Sequence, residues 1–179
     1  MKTLGKYSFG LGDRFGHQGS PQLKAIIDAE ARGIEITPVW NKSNREHSII
    51  GTLPSDVRTE ADSVTNKAGF KRPYFVDADH INLDNVEKFI ESSDFFTIDV
   101  ASYIGKAAGK DETEEFLSGV EKYTGKITLP GSDLTFKTTK NLIRLIAEKY
   151  LFAAIKAWEI YRKIEKIKAM AERAFSPPE

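Results

Sequence analysis

The chain has 179 residues, 40% of them apolar, enough to bury one sizeable core, so a single domain over 1–179 is the default reading. Its 26 lysines and arginines equal its 26 aspartates and glutamates, which leaves no basic field to gather nucleic acid and no acidic tail. The absence of cysteine excludes disulfides, thiolate metal sites and cysteine nucleophiles, so any metal must bind nitrogen and oxygen.

Met1 to Lys6 lacks the apolar stretch of a signal peptide, and no apolar run approaches the ~20 residues of a membrane span. The chain therefore reads as soluble and cytoplasmic, with no membrane partner. Tyr7 to Leu11 is a short aromatic strand closed by glycines, and Ser20-Pro21 offers an N-cap with proline in the first turn. Leu23, Ile26, Ile27 and Ala31 then recur at helical spacing until Gly33. Ile34, Ile36, Val39 and Trp40 mark a second strand, in which Pro38 must sit at the end or where no ladder hydrogen bond is needed. A polar loop comes next. Ser55 to Ala68 reads as a helix closed by Gly69, Tyr74 to Asp77 as a buried strand, and Val86, Phe89 and Ile90 as a compact helix. Phe95, Phe96, Ile98 and Val100 form a fourth strand interrupted by Asp99, a residue that strand interiors avoid.

Strands alternating with helices imply a parallel sheet, because parallel neighbours need a crossover. The expected fold is α/β: a partial (β/α) barrel like a TIM barrel, with about four βα units over 1–104. A helical insertion over 105–137 comes after them, with a charged helix from Asp111 to Tyr123 and a turn-rich loop from Gly125 to Phe136. A long helix over 138–175 completes the chain. Its apolar stripe is Leu142, Leu145, Ile146, Leu151, Ile155, Trp158, Tyr161, Ile164 and Ile167, and Ser176-Pro177-Pro178 ends it. Four such units leave the first and fourth strands as open edges; the long last helix, a second copy of the chain or a missing C-terminal half could cover them, and one of the last two is expected.

In parallel α/β folds the chemistry sits at the carboxyl ends of the strands. The loop after the first strand brings Asp13, Arg14, His17 and Gln18; the second brings Asn41, Lys42, Arg45 and His47. Asp77, Asp79 and His80 close the third and Asp99 the fourth, so all three histidines of the chain fall at strand ends. Asp79 with His80 pairs a carboxylate and an imidazole suited to a divalent metal such as zinc, manganese or nickel; alternatively Asp79 or Asn82 caps the next helix and Asp77 satisfies loop donors. Arg14 offers a planar fork to a carboxylate, or a structural salt bridge. Lys42 and Arg45 favour an anionic substrate, or form a solvated loop face. The glycines at 10, 12, 16 and 19 do not spell G-x-G-x-x-G, so they read as room for the backbone to approach a small polar ligand. Trp40 and Trp158 read as core.

Three stretches, Tyr7–Gly19 (YSFGLGDRFGHQG), Thr37–His47 (TPVWNKSNREH) and Phe75–Leu83 (FVDADHINL), resemble the tagaturonate/fructuronate epimerase family. Phe95–Ala101, Thr128–Gly131 and Ile160–Arg162 are similar too, and the likeness fades after Ile164. The resemblance implies metal-dependent C4 epimerisation of a keto-hexuronate. The inverted carbinol lies β to the ketone, so its C–H is not acidic and a retro-aldol route is required. It further implies Asp79 and Asp99 as catalytic groups and His80 and Asp77 as metal ligands. Asp13, Arg14, His17, Gln18, Asn41, Lys42, Arg45 and His47 would hold the sugar acid. Family members are longer and add further βα units with more metal ligands. That implies a homo-oligomer or a C-terminal partner polypeptide, with a non-catalytic remnant, a split-enzyme subunit or a class II aldolase-like lyase as alternatives.

Overall fold

The computed structural model describes residues 3–175. The order is β1 (Ser8–Gly12), α1 (Gly19–Glu30), β2 (Thr37–Ser43), α2 (Asn44–Ile50), α3 (Pro54–Lys67), β3 (Phe75–Ile81), β4 (Phe95–Ile98), α4 (Lys110–Gly119), β5 (Gly125–Thr128), β6 (Thr135–Thr138) and α5 (Lys140–Phe175). The chain forms two compact units. One holds the chain up to Asp99 and resumes at Ile160; the other is Val100–Glu159.

In the first unit β1, β2, β3 and β4 lie side by side in chain order and all run parallel. Successive side chains on a strand point to opposite faces, so the register puts Leu11, Trp40 and Val76 on one face and Gly12, Asn41 and Asp77 on the other. The first face meets α1 and α3: Leu23 and Ile26 from one, Val57, Ala61 and Val64 from the other, pack with Leu11, Trp40 and Val76 into the core. Each leucine, isoleucine or valine among them, fully buried, stabilises the fold by about 1.5–3 kcal/mol. Truncating Leu23, which is 1% exposed, to alanine costs about 2–5 kcal/mol.

Several boundaries differ from the sequence reading for local reasons. α1 begins at Gly19, not after a Ser20 cap, and its N-terminal Gly19 N–H donates to Glu60 Oε1 of α3 at 2.9 Å. Pro38 lies inside β2. Thr37 donates to Tyr7 on the β1 side, so the donor Pro38 lacks would point the other way, where pairing with β3 begins only at Val39. The polar stretch after Trp40 is the end of β2 followed by α2, whose start is fixed by a capping box between Ser43 and Glu46. Val86, Phe89 and Ile90 are buried as expected, but Val86–Lys88 is a 3-10 turn and no α-helix. There Asn82 Oδ1 accepts from the Asp84 N–H and Asn85 Oδ1 from the Asn82 N–H, which tightens the chain.

From Ile160 onward α5 belongs to this first unit. Ile160 and Ile164 are buried, Lys163 pairs with Glu87 at 2.8 Å, and Lys168 Nζ donates to the Ser93 carbonyl at 2.7 Å.

In the second unit the stretch expected to be a loop is an antiparallel hairpin, β5 with β6, whose tip holds Pro130 and Gly131. Four-residue strands with little burial leave too weak an alternation to read. The charged helix is shorter than expected, Lys110–Gly119, followed by a 3-10 turn over Glu121–Tyr123. The Gly105 N–H donates to the Lys149 carbonyl, and Tyr103 meets Phe152 edge to face. Leu142, Leu145 and Ile146 of the predicted stripe are exposed, while Ala147 and Ala153 are buried. Trp40 is core, but Trp158 is 62% exposed. The predicted stop at Ser176-Pro177-Pro178 lies outside the described residues. Among the described residues no helix is long and apolar enough to cross a membrane.

Candidate functional site

A cleft of about 500 Å³ opens at the carboxyl ends of β2, β3 and β4, lined by Ser43, Asn44, Arg45, Glu46, Asp79, His80, Asn85 and Asp99. Four of the residues singled out from sequence meet here: Arg45, Asp79, His80 and Asp99. Ser43 and Asn85 were not singled out. Ser43 is the last residue of its strand and Asn85 the turn former after β3, so strand-end position was the available signal.

A bulge in β3 builds the cleft wall. Ala78 pairs with Phe96 and Ile81 with Ile98, so β3 spends one residue more than β4 over the same span. In a regular strand Ala78 and His80 would share the helix-covered face. Here Ile81 takes that place, fully buried, while His80 adopts φ 54°, among the described residues the single non-glycine with positive φ, and stands 64% exposed beside Asp79. Asp79 Oδ1 and His80 Nδ1 lie 2.7 Å apart, which fixes the ring and leaves Nε2 outward. β4 ends at Ile98, so Asp99 sits just past the strand at the rim, with its N–H donating to the Ile81 carbonyl.

The opposite wall rests on Glu46. Its Oε2 accepts from the Ser43 N–H and hydroxyl at 3.0 Å, and its Oε1 faces Arg14 Nε at 3.7 Å. The Ser43 backbone donor, against the effect of burial, and then the Ser43 hydroxyl and the charges of Arg14 and Lys42 hold the Glu46 carboxyl below its usual pKa. Arg14 is thus tied to the cleft wall through Glu46. Arg45, next to Glu46 in sequence, has no ion-pair partner among the described residues.

The other sequence candidates do not line the cleft. Asp13 organises its own loop, accepting from the Phe15, His17 and Gln18 N–H groups at 3.0, 2.6 and 2.7 Å. Burial acts to raise its pKa, but these backbone donors together outweigh it and hold the carboxyl below its usual value. His17 and Gln18 are exposed on that loop. Lys42 is buried on the helix-covered face under Gly16, with its Nζ 3.3 Å from where a Cβ would stand. His47 points inward at 4% exposure, against Phe89 and 2.9 Å from Thr52 Oγ1, with Nε2 unpartnered. Burial first, then the Lys42 charge, push its pKa down. Asp77 spends both oxygens on Thr97 of β4, accepting from its N–H at 3.0 Å and its hydroxyl at 2.8 Å. Burial raises its pKa, and the neighbouring Asp79 adds to this while Thr97 opposes it. Asn41 lies on the same face as Asp77, over the β1 glycines.

For a divalent metal, the donor set present is partial. His80, oriented by a carboxylate on Nδ1 with Nε2 outward, has the form of an imidazole ligand. Asp77 accepts one hydrogen bond from Thr97 on each oxygen, and among the described residues no three His, Asp or Glu side chains gather closely enough to hold an ion.

A family model described as tagaturonate epimerase (UxaE) matches residues 2–170. No curated protein matches. Among solved structures, that of fructuronate-tagaturonate epimerase UxaE from Cohnella laeviribosi with one glycerol superposes with a TM-score of 0.71 at 22% identity, over 90% of this chain and 35% of that chain. The native structure of the same enzyme gives 0.70 at 23% identity with equal coverage. The chain thus spans about a third of the length of the solved chains it matches, and shares their fold over that part.

Proposed function

The chain belongs to the tagaturonate epimerase family, and from that premise we propose that its cleft is the keto-hexuronate end of a C4 epimerase working by a retro-aldol route. The observation that carries this is the Asp79–His80 pair, set at the rim by the β3 bulge with Arg45 and Asp99 in the same cleft. Arg45 presents a planar cation without a competing carboxylate among the described residues, suited to hold the substrate carboxylate in two hydrogen bonds. Asp79, whose Oδ2 accepts no hydrogen bond among the described residues, or Asp99 takes the proton of the β-hydroxyl as the adjacent carbon–carbon bond opens to an aldehyde and an enediolate. Re-addition to the other face of the aldehyde and return of the proton give the inverted carbinol, with atoms and charge conserved. His80 is the group this chain offers to a zinc, manganese or nickel ion, which when bound supplies the positive charge that stabilises the enediolate oxygen.

The sequential parallel order of β1 to β4 supports reading the first unit as a segment of a (β/α) barrel. The partial donor set among the described residues supports a second reading of the same site, in which a partner polypeptide or a second copy completes it. Incubating fructuronate with the purified chain, alone and with any polypeptide encoded directly downstream, in the presence of each metal tests both. Tagaturonate formed by the chain alone supports the first, and formation only with the partner supports the second. Accumulation of cleaved aldehydes marks a lyase instead, and no turnover under any condition overturns the catalytic readings.

A further inference from the structure

Gly12, Asn41 and Asp77 stand side by side on β1, β2 and β3, on the face opposite α1 and α3. Asp77 is turned to Thr97 on its other flank, so the two polar neighbours do not bond each other. The Asn41 amide is left without a hydrogen-bond partner among the described residues. It is nevertheless held. A Cβ on Gly12 would stand 3.0 Å from Asn41 Oδ1, and a Cβ on Gly10 would stand 3.4 Å from Asn41 Nδ2. The amide therefore lies back along β1, oxygen by Gly12 and nitrogen by Gly10, in space that exists because neither residue has a side chain. Both glycines are exposed on this face, so the amide is seated yet open to solvent. Gly10 and Gly12 thus make room for a side chain, a role the sequence reading did not assign to them.

We infer that Gly10 and Gly12 form a seat for Asn41, and that the seated amide recognises a hydroxyl of the polyol part of the sugar acid; this rests on the function proposed above. A neutral amide offers one acceptor and two donors, which matches a hydroxyl that must both give and receive. The carboxylate calls instead for a cation, which Arg45 supplies. Ser43, two residues further along β2 on the same face and about 6.6 Å away, already lines the cleft, so Asn41 extends the binding wall over β1. Asn41 is the contacting group; Gly10 and Gly12 are positioning residues that act through it.

The test is an NMR titration of the isotope-labelled full chain with fructuronate and with tagaturonate, following the Asn41 side-chain amide and the Asp79 and His80 backbone resonances. The Asn41 amide is expected to shift together with the cleft, and Asn41→Ala to weaken binding about five-fold, the size of one hydrogen bond. Gly12→Ala, which removes no contacting group, is expected to change the ratio of the two affinities, a readout that a purely structural role would leave alone. Should Gly12→Ala fail to fold, the wild-type Asn41 shift and the Asn41→Ala affinity decide. Movement at Asp79 and His80 with a silent Asn41 overturns this inference and leaves the cleft reading standing. No movement anywhere overturns both.

Discussion

His80 Nδ1 lies 2.7 Å from Asp79 Oδ1 because both residues occupy the surplus position of β3, between the pairs Ala78 with Phe96 and Ile81 with Ile98. The bulge gives the third strand two consecutive side chains on the rim where a regular strand gives one. Its cost is a histidine at φ 54°, a conformation that disfavours any residue with a Cβ. His80→Gly is accordingly expected to be more stable than His80→Ala by about 1 kcal/mol, read from urea midpoints. Equal midpoints would mean that the strand relaxes without the bulge.

Asp77 sets a pH dependence of stability. Its folded pKa is raised above the ordinary 3.8, chiefly by burial, so the native state keeps this proton longer than the unfolded chain does. Stability from this group is greatest below 3.8 and falls as pH rises through the folded value. Asp77→Asn keeps the shape and can still receive the Thr97 N–H, and it is expected to remove that slope. Denaturation midpoints between about pH 3.5 and 6 for the two proteins decide; parallel curves contradict the assignment.

His47 gives a dependence of opposite sense. Burial lowers its pKa below 6.5, so the native state holds it neutral while the unfolded chain takes up a proton. Stability is full above 6.5 and declines as pH falls through the folded value. His47→Leu removes an unpartnered buried Nε2 at the expense of the bond to Thr52. It is expected to lie within about 1 kcal/mol of wild type near neutral pH and to lose the acid decline. An unchanged decline would place its origin elsewhere.

Asp13 holds three backbone donors of the loop that carries Arg14 and His17. Asp13→Ala is expected to cost about 1–2 kcal/mol and to speed tryptic cleavage after Arg14. Cleavage at the wild-type rate would show that Glu60, which receives the Gly19 N–H, holds the loop by itself.

The parallel sheet was legible because apolar runs alternate with helical spacing up to Val100, and the long helix because no glycine or proline interrupts it. The rim was legible in part. Asp79 and His80 stood out as a carboxylate beside an imidazole at a strand end, yet the bulge that aligns them depends on a pairing mismatch with β4, a non-local property. His47 looked like a rim residue from its place after the second strand; the capping box of Ser43 and Glu46 starts a helix there, and helical geometry turns His47 inward onto Phe89. The inward placement of Lys42 is a matter of strand parity, since its neighbour Asn41 faces the other side. The hairpin of β5 and β6 escaped because its apolar residues are too few and too exposed to mark a period.

The most direct measurement is the affinity of the chain for fructuronate and tagaturonate by isothermal titration, wild type against Arg45→Ala. The cleft at the ends of β2, β3 and β4 predicts binding of both sugar acids by the wild type and a loss of about tenfold in the variant, the worth of one charge-assisted pair. Binding that is indifferent to Arg45, or no binding by the wild type, would contradict it.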